Sequence, residues 1–211
     1  MRKLIIASFM LLFAVAGFAQ ENTFNKGDKV LNLGVGIGST LYSGGYYKSA
    51  IPPISASFEL GVKDNLFDEK SSLGIGAYLG YTSAKWEFSY PEYAYTYNSG
   101  LNMPSRVAAS TSSSSSTYGW NYSSMILGVR GALHYQLVSK LDTYTGILLG
   151  YNIVSAKAFG TMGDYSYTAA SSGIAWSWYL GGRYYFTDKF AAMAELGYGI
   201  AYLNLGVALK L

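Results

Sequence analysis

The stretch "YLNLGVALKL", Tyr202 to Leu211, decides the fold. Side chains alternate along an extended segment, so Leu203, Leu205, Val207, Leu209 and Leu211 fall on one face. Tyr202, Asn204, Gly206, Ala208 and Lys210 fall on the other. Something apolar has to cover the leucine face, either the core of a soluble sheet or lipid.

Composition favours lipid. Charged residues make up 13% of the chain, where a soluble domain carries about 25%. Aromatic residues reach 17% and include 21 tyrosines. After Ala19 no apolar run approaches the length of a spanning helix, about 20 residues. A mature chain that crosses a membrane must then do so as a closed barrel, the other structure that satisfies its own backbone in lipid.

At the N-terminus, Arg2 and Lys3 precede an apolar run from Leu4 to Phe18, with small residues at Gly17 and Ala19. This is the pattern of a cleavable secretion signal over residues 1–19, with the mature domain over residues 20–211. Loss of Arg2 and Lys3 takes the formal net charge from +3 to +1, which offers no basic face to nucleic acid. An exported chain without cysteine has no disulfide framework, and no lipidated N-terminal cysteine is expected.

Period-two alternation gives eight candidate strands: Lys29 to Tyr42, Pro53 to Lys63, Ser72 to Phe88, Tyr122 to Leu137, Thr143 to Ala156, Gly173 to Phe186, Lys189 to Gly199 and Tyr202 to Leu211. On each strand one face is apolar, as at Leu31, Leu33, Val35 and Ile37, and the other is small or polar, as at Gly128, Arg130, His134 and Gln136. The polar faces hold too few charges to clothe a water-soluble protein, so the apolar faces are expected to meet lipid and the polar faces to line a lumen. In "WSWYLGGRYYF" the outward positions Trp176, Trp178, Tyr184 and Phe186 put aromatic residues at both ends of one crossing, as interfacial girdles require. The expected fold is all-β, an eight-stranded antiparallel up-and-down transmembrane β-barrel behind a cleavable leader. Connections near Asp64 to Lys70, Val138 to Asp142 and Thr187 to Asp188 are short, as periplasmic turns are. Those at Ser43 to Pro52, Ser89 to Asn121 and Lys157 to Ser172 are longer, as extracellular loops are.

The tail from Gly181 to Leu211 resembles the closing strands of small bacterial outer-membrane barrels, the OmpA-like and OmpX-like group. Its end also resembles their C-terminal assembly signal, with Asn204, Gly206, Leu209 and Leu211 at the matching spacing, although Leu211 stands where the group prefers an aromatic residue. The resemblance implies insertion into the bacterial outer membrane by the barrel assembly machinery, outer-membrane lipid as surroundings, and a monomer. No peptidoglycan-binding domain is expected after the last strand, where the sequence stops, a departure from full-length OmpA.

Inward charges are expected at Glu59, Lys63, Arg130, Arg183, Glu195 and Lys210, with His134 inside near the periplasmic end. An ionised group in a narrow lumen needs a partner, so Glu59 and Glu195 are expected to pair with Arg130 and Arg183. Such a network either plugs the lumen or forms part of a gate or proton path. Tyr78, Tyr144, Tyr179 and Tyr185 add inward bulk opposite glycines, which favours a plug. Single His134 has no serine fixed beside it by spacing, and one histidine without cysteine makes no metal site, so no catalytic residue, metal or cofactor is assigned. The long second loop holds "YPEYAYTY", in which Tyr93, Tyr95 and Tyr97 alternate, and a serine run from Ser110 to Thr117. The third and fourth strands are thus expected to project as a hairpin, with Tyr90, Tyr93, Tyr95 and Tyr97 as contact residues for an extracellular ligand or surface. The expected role is structural or adhesive. A narrow porin-like channel is the alternative, ahead of a lipid A-modifying enzyme or a soluble ligand-binding barrel.

Overall fold

The two ends of the chain close the fold on each other. Strand β1 (Lys29–Ser39) pairs antiparallel with β10 (Ala201–Lys210), with Val30 opposite Lys210 and Ile37 opposite Leu203. The computed structural model describes residues 23–39, 41, 47–91, 95–98, 103–106, 115–160 and 171–211. Within them lie β2 (Tyr47–Asp64), β3 (Ser71–Pro91), β6 (Ser115–Val138), β7 (Leu141–Gly160), β8 (Gly173–Tyr185) and β9 (Phe190–Tyr198). The ring runs β1-β10-β9-β8-β7-β6-β3-β2 and is closed, an eight-stranded antiparallel up-and-down β-barrel. Within the ring each strand is paired on both sides, and among the described residues the extensions of β2 before Ile54 and of β7 after Asn152 have an open edge. Two short strands, β4 (Tyr95–Asn98) and β5 (Met103–Arg106), form a separate ladder in the connection from β3 to β6.

Outside the ring the side chains are apolar and exposed: Val129 is 66% accessible, Ile147 and Leu149 56%. A belt of this kind on every strand is far more than a water-soluble monomer leaves bare. Aromatic residues bound it. Tyr135, Tyr184, Phe186 and Phe190 stand exposed at the end carrying the short turns, and Tyr81, Tyr151, Trp176 and Tyr198 at the opposite end. Trp176 and Tyr198 meet with ring centroids 5.8 Å apart, and Tyr184 and Phe186 at 5.5 Å.

The turns at one end are tight. Asn65 between β2 and β3 and Lys140 between β6 and β7 adopt positive φ, 55° and 62°. Asparagine tolerates that region because its side chain mimics a backbone turn. At the other end Gly199, φ 116°, reverses the chain between β9 and β10; a Cβ there would lie 2.0 Å from the Trp176 carbonyl oxygen.

Strand boundaries differ from the alternation in informative ways. β2 begins at Tyr47 rather than Pro53, with register shifts on either side of Ile51. Pro52 and Pro53 cannot donate to the ladder and interrupt the period without ending the strand. β3 and β6 run to Pro91 and from Ser115, so much of the segment read as a long loop is strand. There the ladder continues from Ser83 opposite Ser123 to Pro91 opposite Ser115, and its outward positions turn polar.

Candidate functional site

Inside the ring, two layers of charge lie one above the other. The lower layer is a cycle of four side chains from four strands: Glu59 of β2, His134 of β6, Asp142 of β7 and Arg183 of β8. His134 Nε2 lies 2.6 Å from Glu59 Oε1, and its Nδ1 lies 2.8 Å from Asp142 Oδ1. Arg183 closes the cycle, with Nη1 donating to Asp142 Oδ2 at 3.1 Å and Nη2 to Glu59 Oε2. Glu59 and Arg183 are wholly buried. Both imidazole nitrogens face carboxylate oxygens, and both can donate only in the imidazolium form. Gly74 makes this possible, since a Cβ there would lie 2.5 Å from Glu59 Oε1.

In the upper layer Arg130 of β6 faces Glu195 of β9. Nη2 donates to Glu195 Oε1 at 2.7 Å, Nε to the Tyr179 hydroxyl at 3.0 Å and Nη1 to Ser57 Oγ at 3.3 Å. The guanidinium also lies 4.1 Å from the Tyr179 ring centroid. Tyr144 joins the layers: its hydroxyl donates to Glu195 Oε1 at 2.9 Å while Arg183 lies over its ring at 4.5 Å. Three carboxylates thus balance two guanidiniums and one imidazolium. A buried network is tolerated when each charge is paired and hydrogen-bonded; here every charge faces one of opposite sign, while Arg183 Nε is buried with no hydrogen-bond partner among the described residues.

Beneath the lower layer the chain preceding β1 folds under the barrel. Phe24 stacks on His134, centroids 4.0 Å apart and planes at 21°, and its carbonyl accepts from Ser72 Oγ at 3.0 Å. Gly27 N donates to the Gly61 carbonyl, and Lys210 reaches the Thr23 carbonyl at 3.3 Å and Asp28 at 2.7 Å. Phe24 is 3% exposed. Phe24→Ala is expected to cost about 2 kcal/mol, less than an enclosed phenyl because the segment can settle into the space. A shift in the urea midpoint of the detergent-folded protein measures it, and an unchanged midpoint would show that the segment does not seal the ring.

Of the charges assigned to the lumen from sequence, Glu59, Arg130, His134, Arg183 and Glu195 come together. Lys63 does not. The register shifts between Gly61 and Lys63, so Lys63 pairs with outward Leu73 and stands exposed. An extra residue in a strand flips the following side chain to the other face. Lys210 points inward but pairs with Asp28 at the rim, away from both layers. Asp142 and Phe24 were not assigned. Asp142 was read as part of a turn, yet it has the inward parity of Tyr144, and extending that alternation back by one step places it in the lumen. Phe24 carried no such signal.

The tail residues serve the lumen as well. Asn204 Nδ2 approaches Ser55 Oγ at 3.3 Å and Glu195 Oε2 at 3.5 Å, and a Cβ on Gly206 would lie 2.0 Å from the Leu33 carbonyl oxygen. Leu209 and Leu211 face outward, exposed.

Above the upper layer a recess of about 40 Å³ is lined by Ser55, Tyr78, Ser177 and Asn204, room for a few waters rather than a solute. Higher still, β2, β3, β6 and β7 continue past the apolar belt, with 18, 21, 24 and 20 residues against 9 to 13 for the other four strands of the ring. There the two faces exchange character. Outward positions become Ser83, Lys85 and Glu87, then Asn121 and Ser123, then Ser155 and Lys157. On β3 and β6 the inward positions become aromatic, while β7 keeps Val154, Ala156 and Ala158 inward: Trp86 and Trp120 lie 5.1 Å apart, Tyr118 touches both at 6.1 Å, Phe88 meets Tyr118 at 5.9 Å, and Tyr47 of β2 meets Tyr122 at 5.9 Å. Tyr95 and Tyr97 sit in the β4–β5 ladder opposite Arg106 and Pro104, Tyr90 is near the end of β3, and Tyr93 lies outside the described residues.

Closed ring, exposed apolar belt and polar interior define a small eight-stranded β-barrel. No family model matches the chain, and no curated protein matches it. Among solved structures it is similar to Ail, the attachment invasion locus protein of Yersinia pestis, solved in complex with the heparin analogue sucrose octasulfate. The identity is 8% and the TM-score 0.41, over 88% of this chain and 96% of that one.

Proposed function

We propose that the protein is an integral barrel of the bacterial outer membrane, exported behind a leader over residues 1–19, whose role is to present its projecting sheet to the cell exterior. The exchange of polarity between the faces of β3 and β6 carries this reading. Where the outward face turns to serine, lysine and asparagine, lipid has ended. From that level β3 and β6 place their large aromatic side chains on the inner side of the sheet. Tyrosine and tryptophan supply much of the contact area of recognition surfaces at low entropic cost. The lumen supports a frame rather than a channel or an enzyme, because the charge layers fill it and both nitrogens of His134 are committed to carboxylates, leaving neither to activate a serine.

Two measurements test the proposal. Purified protein in planar bilayers should give a flat current trace, and discrete steps would replace the plug with a channel. Cells displaying the chain should adhere to plates coated with extracellular proteins or glycans. The double change Trp86→Ser and Trp120→Ser should reduce retention roughly thirtyfold, the loss of about 2 kcal/mol expected of an aromatic anchor. Adhesion equal to the unchanged protein would remove the aromatic wall from the recognition surface.

A further inference from the structure

We infer that a pocket at the mouth of the barrel receives one phenyl-sized apolar side chain of the protein to which the projecting sheet binds. The inference rests on the recognition reading above and names the partner's anchor. The pocket originates in the ladder. Pairing between β1 and β2 stops at Val35 opposite Ile54, while β1 continues along β10 to Ser39 opposite Ala201. On the other side of β2, Pro52 and Pro53 stand between Ile51 opposite Ser83 and Ile54 opposite Tyr81, two residues against the single Thr82. Such a bulge bends its strand, and neither proline has an N–H to leave unpaired. The result is a partly open pocket of about 150 Å³ whose lining includes Gly38, Tyr47, Pro52, Pro53, Thr82 and Ala84. Pro53, Thr82 and Ala84 are buried, and a Cβ on inward Gly36 would lie 2.8 Å from the Pro53 Cβ, so the pocket opens on the inner face. The aromatic wall adjoins it: Tyr47 is opposite Trp86 and meets Tyr122 at 5.9 Å.

Size and lining select the occupant. A cavity of about 150 Å³ with apolar walls holds a benzene ring. Here the walls are two prolines, an alanine, a glycine and the Tyr47 ring, and no charged side chain lines the pocket among the described residues. The hydroxyls of Ser39 and Thr82 also reach it, but their hydrogens are committed within the protein. Ser39 Oγ donates to the Ile200 carbonyl at 3.1 Å and accepts from the Leu41 N–H at 3.2 Å, and Thr82 Oγ1 donates to the Ile51 carbonyl at 3.0 Å. A sugar ring would bring hydroxyls that lose water and gain few partners, which is costly. A phenyl group brings only apolar area, whose removal from water is favourable. A side chain seated in a pocket and surrounded by aromatic contacts is also the arrangement that concentrates binding energy between proteins. The pocket supplies the anchor and the wall the contacts around it.

The test uses the full chain folded in micelles and labelled on its alanine and threonine methyl groups, with the water-soluble blocked peptides Gly-Phe-Gly and Gly-Ala-Gly and methyl glucoside as probes. The phenylalanine peptide should shift the Ala84 and Thr82 methyl resonances and bind about tenfold more tightly than the alanine peptide, the effect of burying a phenyl group. The glucoside should move neither methyl. Ala84→Leu, which fills the pocket, should abolish the shift at Thr82 and lower the retention of cells on protein-coated plates about tenfold. The comparison of peptides on the unchanged protein keeps the inference testable if that variant folds poorly. Equal binding of the two peptides, shifts produced by the glucoside alone, or retention on glycan-coated plates only overturns the anchor pocket. So does retention undiminished by Ala84→Leu while Trp86→Ser with Trp120→Ser reduces it, an outcome that leaves the recognition surface standing. Selective binding of the phenylalanine peptide with retention unaffected by either change overturns instead the recognition reading on which the inference rests.

Discussion

Arg183→Met is expected to destabilise the folded barrel by about 3–5 kcal/mol, the range for removing one partner of a buried ion pair. The substitution keeps most of the side-chain volume, so the loss is electrostatic rather than a cavity. Glu59 and Asp142 would each lose their guanidinium donor and be left with one imidazolium between two carboxylates. Glu59 has no route to solvent, since Phe24 and the segment around it close the lumen from below. Adding Glu59→Gln should return much of the lost stability, because the layer is then neutral again, with Asp142 and His134 paired at 2.8 Å. A network of this kind is not required for stability as such, as well-packed apolar replacements are often neutral or better. The comparison that matters is therefore the single change against the double, read from urea unfolding in detergent. A single variant as stable as the parent would show that the lower layer is hydrated and its charges are screened.

How far the sequence reveals this depends on which solvent each face meets. Between the girdles, lipid outside and polar groups inside impose opposite demands on neighbouring residues, so alternation is strong and the strands around Leu33, Leu79 and Leu149 can be read directly. Above the girdles the outward face turns polar and the period of two persists on β3 and β6 with its faces reversed, through Trp86, Phe88, Tyr118 and Trp120, until it ends in the serine run. The interior is legible by parity wherever the strand is regular, which brings Glu59, Arg130, Arg183 and Glu195 together. One residue of irregularity between Gly61 and Lys63 defeats the same rule. Phe24 is illegible for another reason: it belongs to no strand, and only the three-dimensional position of its segment under His134 gives it a role.

Val129→Arg separates lipid from water as the surroundings of the outer face. Val129 stands six residues from Tyr135 at one girdle and six from Ser123 in the first polar row at the other, on one face of β6. It is 66% exposed, so in water an arginine there would change stability by no more than about 0.5 kcal/mol, as at most surface positions. At the midplane of a bilayer the same arginine is expected to cost about 2–4 kcal/mol, falling to about 0–1 near the interface. Asn121→Arg, on the same face of the same strand beyond the belt, provides the contrast and should be neutral within about 1 kcal/mol. Both variants are measured by urea unfolding from liposomes, where the bilayer, unlike a micelle, fixes the depth of each residue. A large loss at position 129 with none at 121 requires a hydrocarbon layer that ends between them, at the level where the sheet exchanges its polar and apolar faces. Equal, small effects at both positions would mean that water meets the apolar belt, and the exposed leucines, valines and tryptophans would then need a protein partner to cover them.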